Sequence, residues 1–185
     1  LSNEAFPFGT SQVIDIGYAR VRASRVTYVG ELGWELYIPT ECAADVFDTI
    51  MAVGDQHGLR LCGYHALNSL RMEKGYRHWG HDISPDETPL EAGLGFVVSW
   101  KKPGGFIGRE ALQAQKDAGL TKRLAQFRLH DGERLLYHNE PIWRDGVIVG
   151  HITSGMYGHH VDASLGMGYV SRADGLADTD WVLAG

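Results

Sequence analysis

Residues 25–39 read Arg-Val-Thr-Tyr-Val-Gly-Glu-Leu-Gly-Trp-Glu-Leu-Tyr-Ile-Pro. Val26 and Tyr28 on one side, and Leu36 and Ile38 on the other, belong to two short runs of β-branched and aromatic residues, and Gly30 and Gly33 bracket a turn between them. The reading is a hairpin, with Glu35 opening its second arm beside Trp34. A carboxylate in that position is either a solvated strand residue, the commoner case, or an acceptor held at the mouth of an apolar site.

Outward from this stretch, residues 11–22 alternate apolar and polar and read as one strand with Gly17 as a bulge, which makes three antiparallel strands with the hairpin. Over 41–56 the apolar residues Ala43, Val46, Phe47, Ile50, Met51 and Val53 recur at helical spacing, with Thr40 to cap the helix and Gly58 to end it. A second helix spans 64–74 and stops at Gly75. Strands followed by helices imply an α+β layer, with helices on one face of an antiparallel sheet. Residues 76–86 have no period and read as a loop. Thr88-Pro89-Leu90-Glu91 has the form of a capping box on a short turn, and 96–100 reads as a strand. After the breaker cluster 101–105, residues 109–118 make an amphipathic helix ended by Gly119. The remainder is β: 124–130, 140–144, 147–153, 165–170 and a start at Trp181, with Asp145-Gly146 as a two-residue hairpin turn. A small antiparallel β-barrel or jelly-roll domain follows, with a boundary near residue 104.

At 185 residues and 44% hydrophobic composition, the chain can bury a core. Its net charge of −6 and pI near 5.8 argue against nucleic acid or an anionic membrane as partner, and no apolar run is long enough to span a bilayer. Cys42 and Cys62 form neither a disulfide framework nor a zinc pattern, and read as small buried side chains of a reducing compartment. His65, His78, His81, His159 and His160 lack the companions a zinc site needs. Thr153-Ser154-Gly155 is not a nucleophile elbow, and no dinucleotide fingerprint is present. Residues 1–10 have no signal-peptide character, and the last residues stop inside what reads as a strand. The sequence therefore reads as a piece of a longer polypeptide.

Residues 28–35, Tyr-Val-Gly-Glu-Leu-Gly-Trp-Glu, resemble the Gly-Tyr-Thr-Gly-Glu-x-Gly-x-Glu signature of the glycine-cleavage T-protein (aminomethyltransferase) family. Further matches follow in family order: Cys62-Gly63 leading to Ser69-Leu70-Arg71-Met72-Glu73, the run 88–94, the run 106–112, and Thr153-Ser154-Gly155. Residues 72–79 are most similar to the C-terminal folate region of sarcosine and dimethylglycine dehydrogenases. The resemblance implies residues 1–104 as a folate-binding domain lacking its N-terminal part, and 105–185 as a C-terminal β-barrel with its last strands truncated. It implies tetrahydrofolate as cofactor and methylene-tetrahydrofolate as product, formed from the imine of an N-methylated amine. FAD belongs only to a preceding flavin domain of the same polypeptide. The family's catalytic Asp falls upstream, so no catalytic residue is assigned here and the isolated piece is expected to be inactive. The compartment implied is the cytoplasm in a bacterium or the mitochondrial matrix in a eukaryote. Alternatives are a stand-alone aminomethyltransferase and a non-catalytic binding or regulatory module.

The edge of a pteridine ring presents two adjacent donors that match the two oxygens of one carboxylate. Family position assigns that role to Glu35, as a buried acceptor beside aromatic residues. Tyr28 and Tyr76 fall where the family lines its pocket, although ordinary core packing is the commoner role for a tyrosine. Arg71 reads as a supporting ion pair or helix cap, with Trp34 and Trp79 as supporting aromatics. One departure stands out: Ala66-Leu67-Asn68 replaces the Ala-Arg-Asp of the aminomethyltransferases, and Leu67 cannot bind an anion.

Overall fold

A computed structural model describes residues 2–131 and 133–172, and the chain divides into two compact units, Leu1–Leu67 and Asn68–Gly185. In the first unit β1 (Ser11–Ile16), β2 (Ala19–Ser24) and β3 (Glu35–Tyr37) form an antiparallel sheet in that order. The stretch read as one bulged strand is thus two. Gly17, at φ 58°, and Tyr18 make the turn between them, with Ile16 paired to Ala19. A Cβ at position 17 would also lie 2.9 Å from both Asp45 Oδ2 and Thr49 Oγ1, so those side chains would have to shift, and the positive φ disfavours a side chain in any case.

This split changes the partner of β3. It pairs with β2, Ser24 opposite Glu35, and Val26 and Tyr28 belong to the connection between them instead of a strand. The cause is local: Thr27 Oγ1 accepts from the backbone N–H groups of Val29 at 3.2 Å and Gly30 at 3.1 Å. Side-chain bonds of this kind compete with a strand ladder.

Helix α1 (Ala43–Gly54) covers one face of this sheet. Val46 is buried with Ala19 and Val21, and Ile14, Ile16, Leu36, Ile38 and Ile50 pack around them. A 3-10 turn, Thr40–Cys42, leads into the helix, so Thr40 lies within that turn and makes no capping bond. Gly58, at φ 70°, closes a second 3-10 turn at the far end.

Helix α2 (Tyr64–Glu73) crosses the division. In the second unit its Met72 joins Leu124, Leu165, Met167 and Tyr169 in a core. Four antiparallel strands run in the order β4 (Lys122–Arg128), β7 (Ala163–Ser171), β6 (Val147–Gly158), β5 (Pro141–Arg144). Asp145 and Gly146, at φ 52° and 78°, form the expected tight turn between β5 and β6. Helix α3 (Arg109–Ala118) has the expected bounds.

Two further expectations are corrected. Residues 96–100 are not a strand: Gly95–Val97 is a 3-10 turn, and Val97 and Val98 donate to the carbonyls of Leu94 and Gly95. A short apolar run satisfies more than one backbone conformation. Neither cysteine is buried, Cys62 being exposed and Cys42 half-buried. The strand expected at Trp181 lies outside the described residues.

The capping box is present. Thr88 N–H donates to Glu91 Oε2 at 2.9 Å, and Glu91 N–H to Thr88 Oγ1 at 3.2 Å. Replacing Thr88 by Ala removes one half of this pair and should lower unfolding free energy by about 1 kcal/mol, read as a reduced midpoint with unchanged slope in urea titration.

Candidate functional site

In the first unit, strand parity sorts the side chains. Val21 and Ala23 face α1, while Arg20 and Arg22 of β2 and Glu35 and Tyr37 of β3 face the other way and are exposed. The register sets this outer face in rows: Ser11, Ser24 and Glu35; then Val13, Arg22 and Tyr37; then Asp15 and Arg20. Along it runs an open groove of about 750 Å³, lined by Val13, Arg20, Arg22, Leu36, Tyr37, Ile38 and Pro39.

Glu35 is exposed on this face, not buried, because its place opposite Ser24 puts it on the side away from the helix. The Tyr37 hydroxyl donates to Glu35 Oε2 at 2.8 Å. That hydrogen bond, and then the carboxylate charge, holds the Tyr37 phenol above its ordinary pKa. Tyr37 was missed in the sequence, although its signal is simple: it lies two residues along the strand from Glu35, hence on the same face. Trp34 is placed differently from Glu35. It packs edge-on to buried Phe6, ring centroids 6.2 Å apart, and the Arg25 guanidinium lies 5.5 Å from its ring centroid. Arg25 in turn donates to the Phe6 carbonyl and to Asn3. Tyr28 is half-buried in the connection before β3.

In the second unit Arg71 is 4% exposed and centres a polar network. Its Nη1 donates to Asp82 Oδ2 at 2.7 Å and to the Tyr76 carbonyl at 3.1 Å, its Nη2 to Ser154 Oγ at 2.9 Å, and its Nε to Asn68 Oδ1 at 3.2 Å. Asp82, 1% exposed, also accepts from His78 N–H at 2.9 Å and from Thr153 Oγ1 at 2.5 Å. Tyr76 is half-buried and is held at the end of α2, where its N–H donates to the Arg71 carbonyl while Gly75 N–H donates to that of Met72. This is a Schellman stop, with Gly75 at φ 65°. Trp79 is 66% exposed and touches the fold through a bridge to Ile83.

Asp82 carried no sequence signal, being a lone acid in an aperiodic loop. Thr153 and Ser154 were visible as a motif, and their hydroxyls are committed to this network.

The rings of His78, His81 and His138 follow one another with centroids 4.6 and 6.0 Å apart. No group of three His, Cys, Asp or Glu among the described residues is arranged to hold a metal ion. No helix among them is long and apolar enough to cross a membrane.

A buried pair is costly to break because the remaining charge stays desolvated. Asp82→Ala should therefore destabilise by roughly 3 kcal/mol or more, measured by urea unfolding, whereas an effect below that of an ordinary surface substitution would make the pair energetically idle.

The GCVT N-terminal domain model matches residues 1–102, and the glycine cleavage T-protein C-terminal barrel domain model matches residues 122–183. The chain is 45% identical over 186 residues to mitochondrial sarcosine dehydrogenase of Homo sapiens, covering 100% of this chain and 20% of that protein. It is 40% identical over 175 residues to the mitochondrial pyruvate dehydrogenase phosphatase regulatory subunit of Mus musculus, covering 92% and 20%. Among solved structures, the glycine cleavage system aminomethyltransferase T from Bartonella henselae aligns with a TM-score of 0.79 at 26% identity, over 92% of this chain and 46% of that one. The chain spans about a fifth of the length of these two curated relatives.

Proposed function

Because this chain belongs to the glycine cleavage T-protein family, we propose that it serves tetrahydrofolate-dependent one-carbon transfer, as the folate-handling part of a sarcosine or dimethylglycine dehydrogenase-like enzyme. The observation that carries this reading is Glu35, an exposed carboxylate oriented by Tyr37 on the open side of the sheet. Its two oxygens suit the paired amino and ring N–H donors of a pteridine edge. Oε2 takes one bond from Tyr37 and keeps capacity for another, and Oε1 is left for the second donor. Tetrahydrofolate would supply the N5 nucleophile that takes up the one-carbon unit. Glu35 binds and orients, and Tyr37 fixes the carboxylate.

Tyr28 and Tyr76 as folate contacts, with Arg71, Trp34 and Trp79 in support, follow from family position. The junction between the folate-binding part and the C-terminal barrel is placed near residue 104. FAD, the N-methylated amine and its imine are assigned to the activity of the whole protein, with its flavin domain elsewhere in the polypeptide.

A second reading, a non-catalytic regulatory module, is favoured by the likeness to a phosphatase regulatory subunit and by Leu67 in place of the family's arginine. The two readings separate in the full-length protein incubated with sarcosine and tetrahydrofolate. Formation of 5,10-methylenetetrahydrofolate supports the enzyme; folate binding without it supports the module.

Glu35→Gln in the same protein should weaken binding of 5-formyltetrahydrofolate by about 1.5 kcal/mol or more, the scale of a charged hydrogen bond, with the melting temperature unchanged. Equal affinity in calorimetry would remove Glu35 from the site.

A further inference from the structure

The outer face of this sheet has a charge order that the pterin contact leaves unused. Glu35 stands in the row at one end of that face, next to the groove and not among its lining residues. Tyr37, 57% exposed, and Val13, 48% exposed, form the middle row with Arg22, and Arg20 stands in the row beyond. From Ser24, which opposes Glu35, to Arg20 is four residues of β2, about 13 Å at the rise of a strand. Arg20 has Asp15 at 3.9 Å, both side chains being 81% exposed, whereas the Arg22 guanidinium makes no hydrogen bond or ion pair among the described residues. One face therefore offers an anionic acceptor, an apolar and aromatic middle, and a cationic end.

Tetrahydrofolate has the complementary order: a pterin with a donor edge, an aminobenzoyl ring, and a glutamate bearing two carboxylates. We propose that Arg22, assisted by Arg20, is the specificity-determining subsite for this anionic tail, with Tyr37 and Val13 flanking the aminobenzoyl ring. The proposal rests on Glu35 as the pterin acceptor. A guanidinium suits this task, since its planar fork can engage a carboxylate through two parallel bonds. The site lies on β2 and β3 and does not include Leu67, so the chain would hold the tail without an arginine at that position. Both arginines are exposed, and long-range attraction between them and the tail will be screened by salt.

The test compares two ligands on the full-length protein: 5-formyltetrahydrofolate, which has the tail, and 6,7-dimethyltetrahydropterin, which lacks it. Arg22→Gln should weaken the first about tenfold, as expected for one lost charged contact, and leave the second within twofold. Arg20→Gln should act in the same direction and less strongly, because Asp15 already offsets part of its charge. Arg22→Lys should recover part of the loss. Added salt should narrow the preference for the tailed ligand in the wild type, and do so less in Arg22→Gln.

Unchanged affinity of Arg22→Gln for 5-formyltetrahydrofolate, or equal loss for both ligands, overturns the tail subsite. Glu35→Gln separates the two readings: it should weaken both ligands, and if it weakens neither while Arg22→Gln acts on the tailed ligand alone, the pterin assignment falls and the tail subsite stands. No binding of either ligand to the wild type overturns both.

Discussion

The parity of the first sheet is the constraint on which the candidate site depends. Side chains alternate along a strand, so shifting the pairing by one residue exchanges its two faces. In the observed register Ala19 and Val21 pack with Val46 of α1, buried Ala23 shares their face, and Arg20, Arg22, Glu35 and Tyr37 face the other way. A slip of one residue in β2 would put two guanidiniums into an apolar layer at prohibitive desolvation cost and expose Val21 and Ala23. The Gly17-Tyr18 turn enforces the register from one end, since it leaves no spare residue between Ile16 and Ala19. Hydrophobic burial under α1 and the arrangement of charges on the opposite face are thus one decision made by the chain, not two.

The second unit solves a different problem with a different device. Arg71 and Asp82 are both almost wholly buried, and a pair of this kind gains little over apolar packing unless its remaining donors and acceptors are satisfied. They are largely satisfied here. Asn68, Tyr76, His78, Thr153 and Ser154 take up the bonding capacity around the pair. The result ties the end of α2, the aperiodic loop after it and β6 to one another, and it holds the Tyr76 backbone through both the Arg71 carbonyl and its guanidinium. The contribution is positional: segments with no periodicity of their own acquire a single arrangement.

What was legible in the sequence follows the range of the forces involved. Helix α3, the Asp145-Gly146 turn and the Thr88 and Glu91 capping box depend on residues within a few positions of each other, and each could be read from spacing. The division of residues 11–24 into two strands was not legible, because a glycine in an alternating run signals a bulge and a turn alike. Only its neighbours Asp45 and Thr49, brought by α1, show how little room position 17 has. The first arm of the proposed hairpin failed for a similar reason, as a single threonine hydroxyl turned Val26 and Tyr28 out of the ladder. Asp82 and its link to Thr153 join residues far apart in the chain, and no local pattern carries that information. The family signature pointed to Glu35 without revealing that the aromatic residue beside its carboxylate would be Tyr37 and not Trp34.

The bond between Tyr37 and Glu35 bears on how such a site could act. An exposed carboxylate in water loses most of what it gains on pairing, because the solvent competes for it and its side chain must be ordered. A neighbouring hydroxyl that already holds one oxygen removes part of that ordering cost before any ligand arrives. It does so without using up the acceptor, since a carboxylate has room for about four hydrogen bonds. The partnership also works in reverse: the hydrogen bond to the carboxylate, and then its charge, push the phenol further above its ordinary pKa, which favours the hydroxyl as a donor. Tyr37 meanwhile lies in the row shared with Arg22 and is more than half exposed. A single side chain can therefore steady the carboxylate in one row of this face and present an aromatic surface in the row of Arg22. Any ligand of this face must then match a direction as well as a charge.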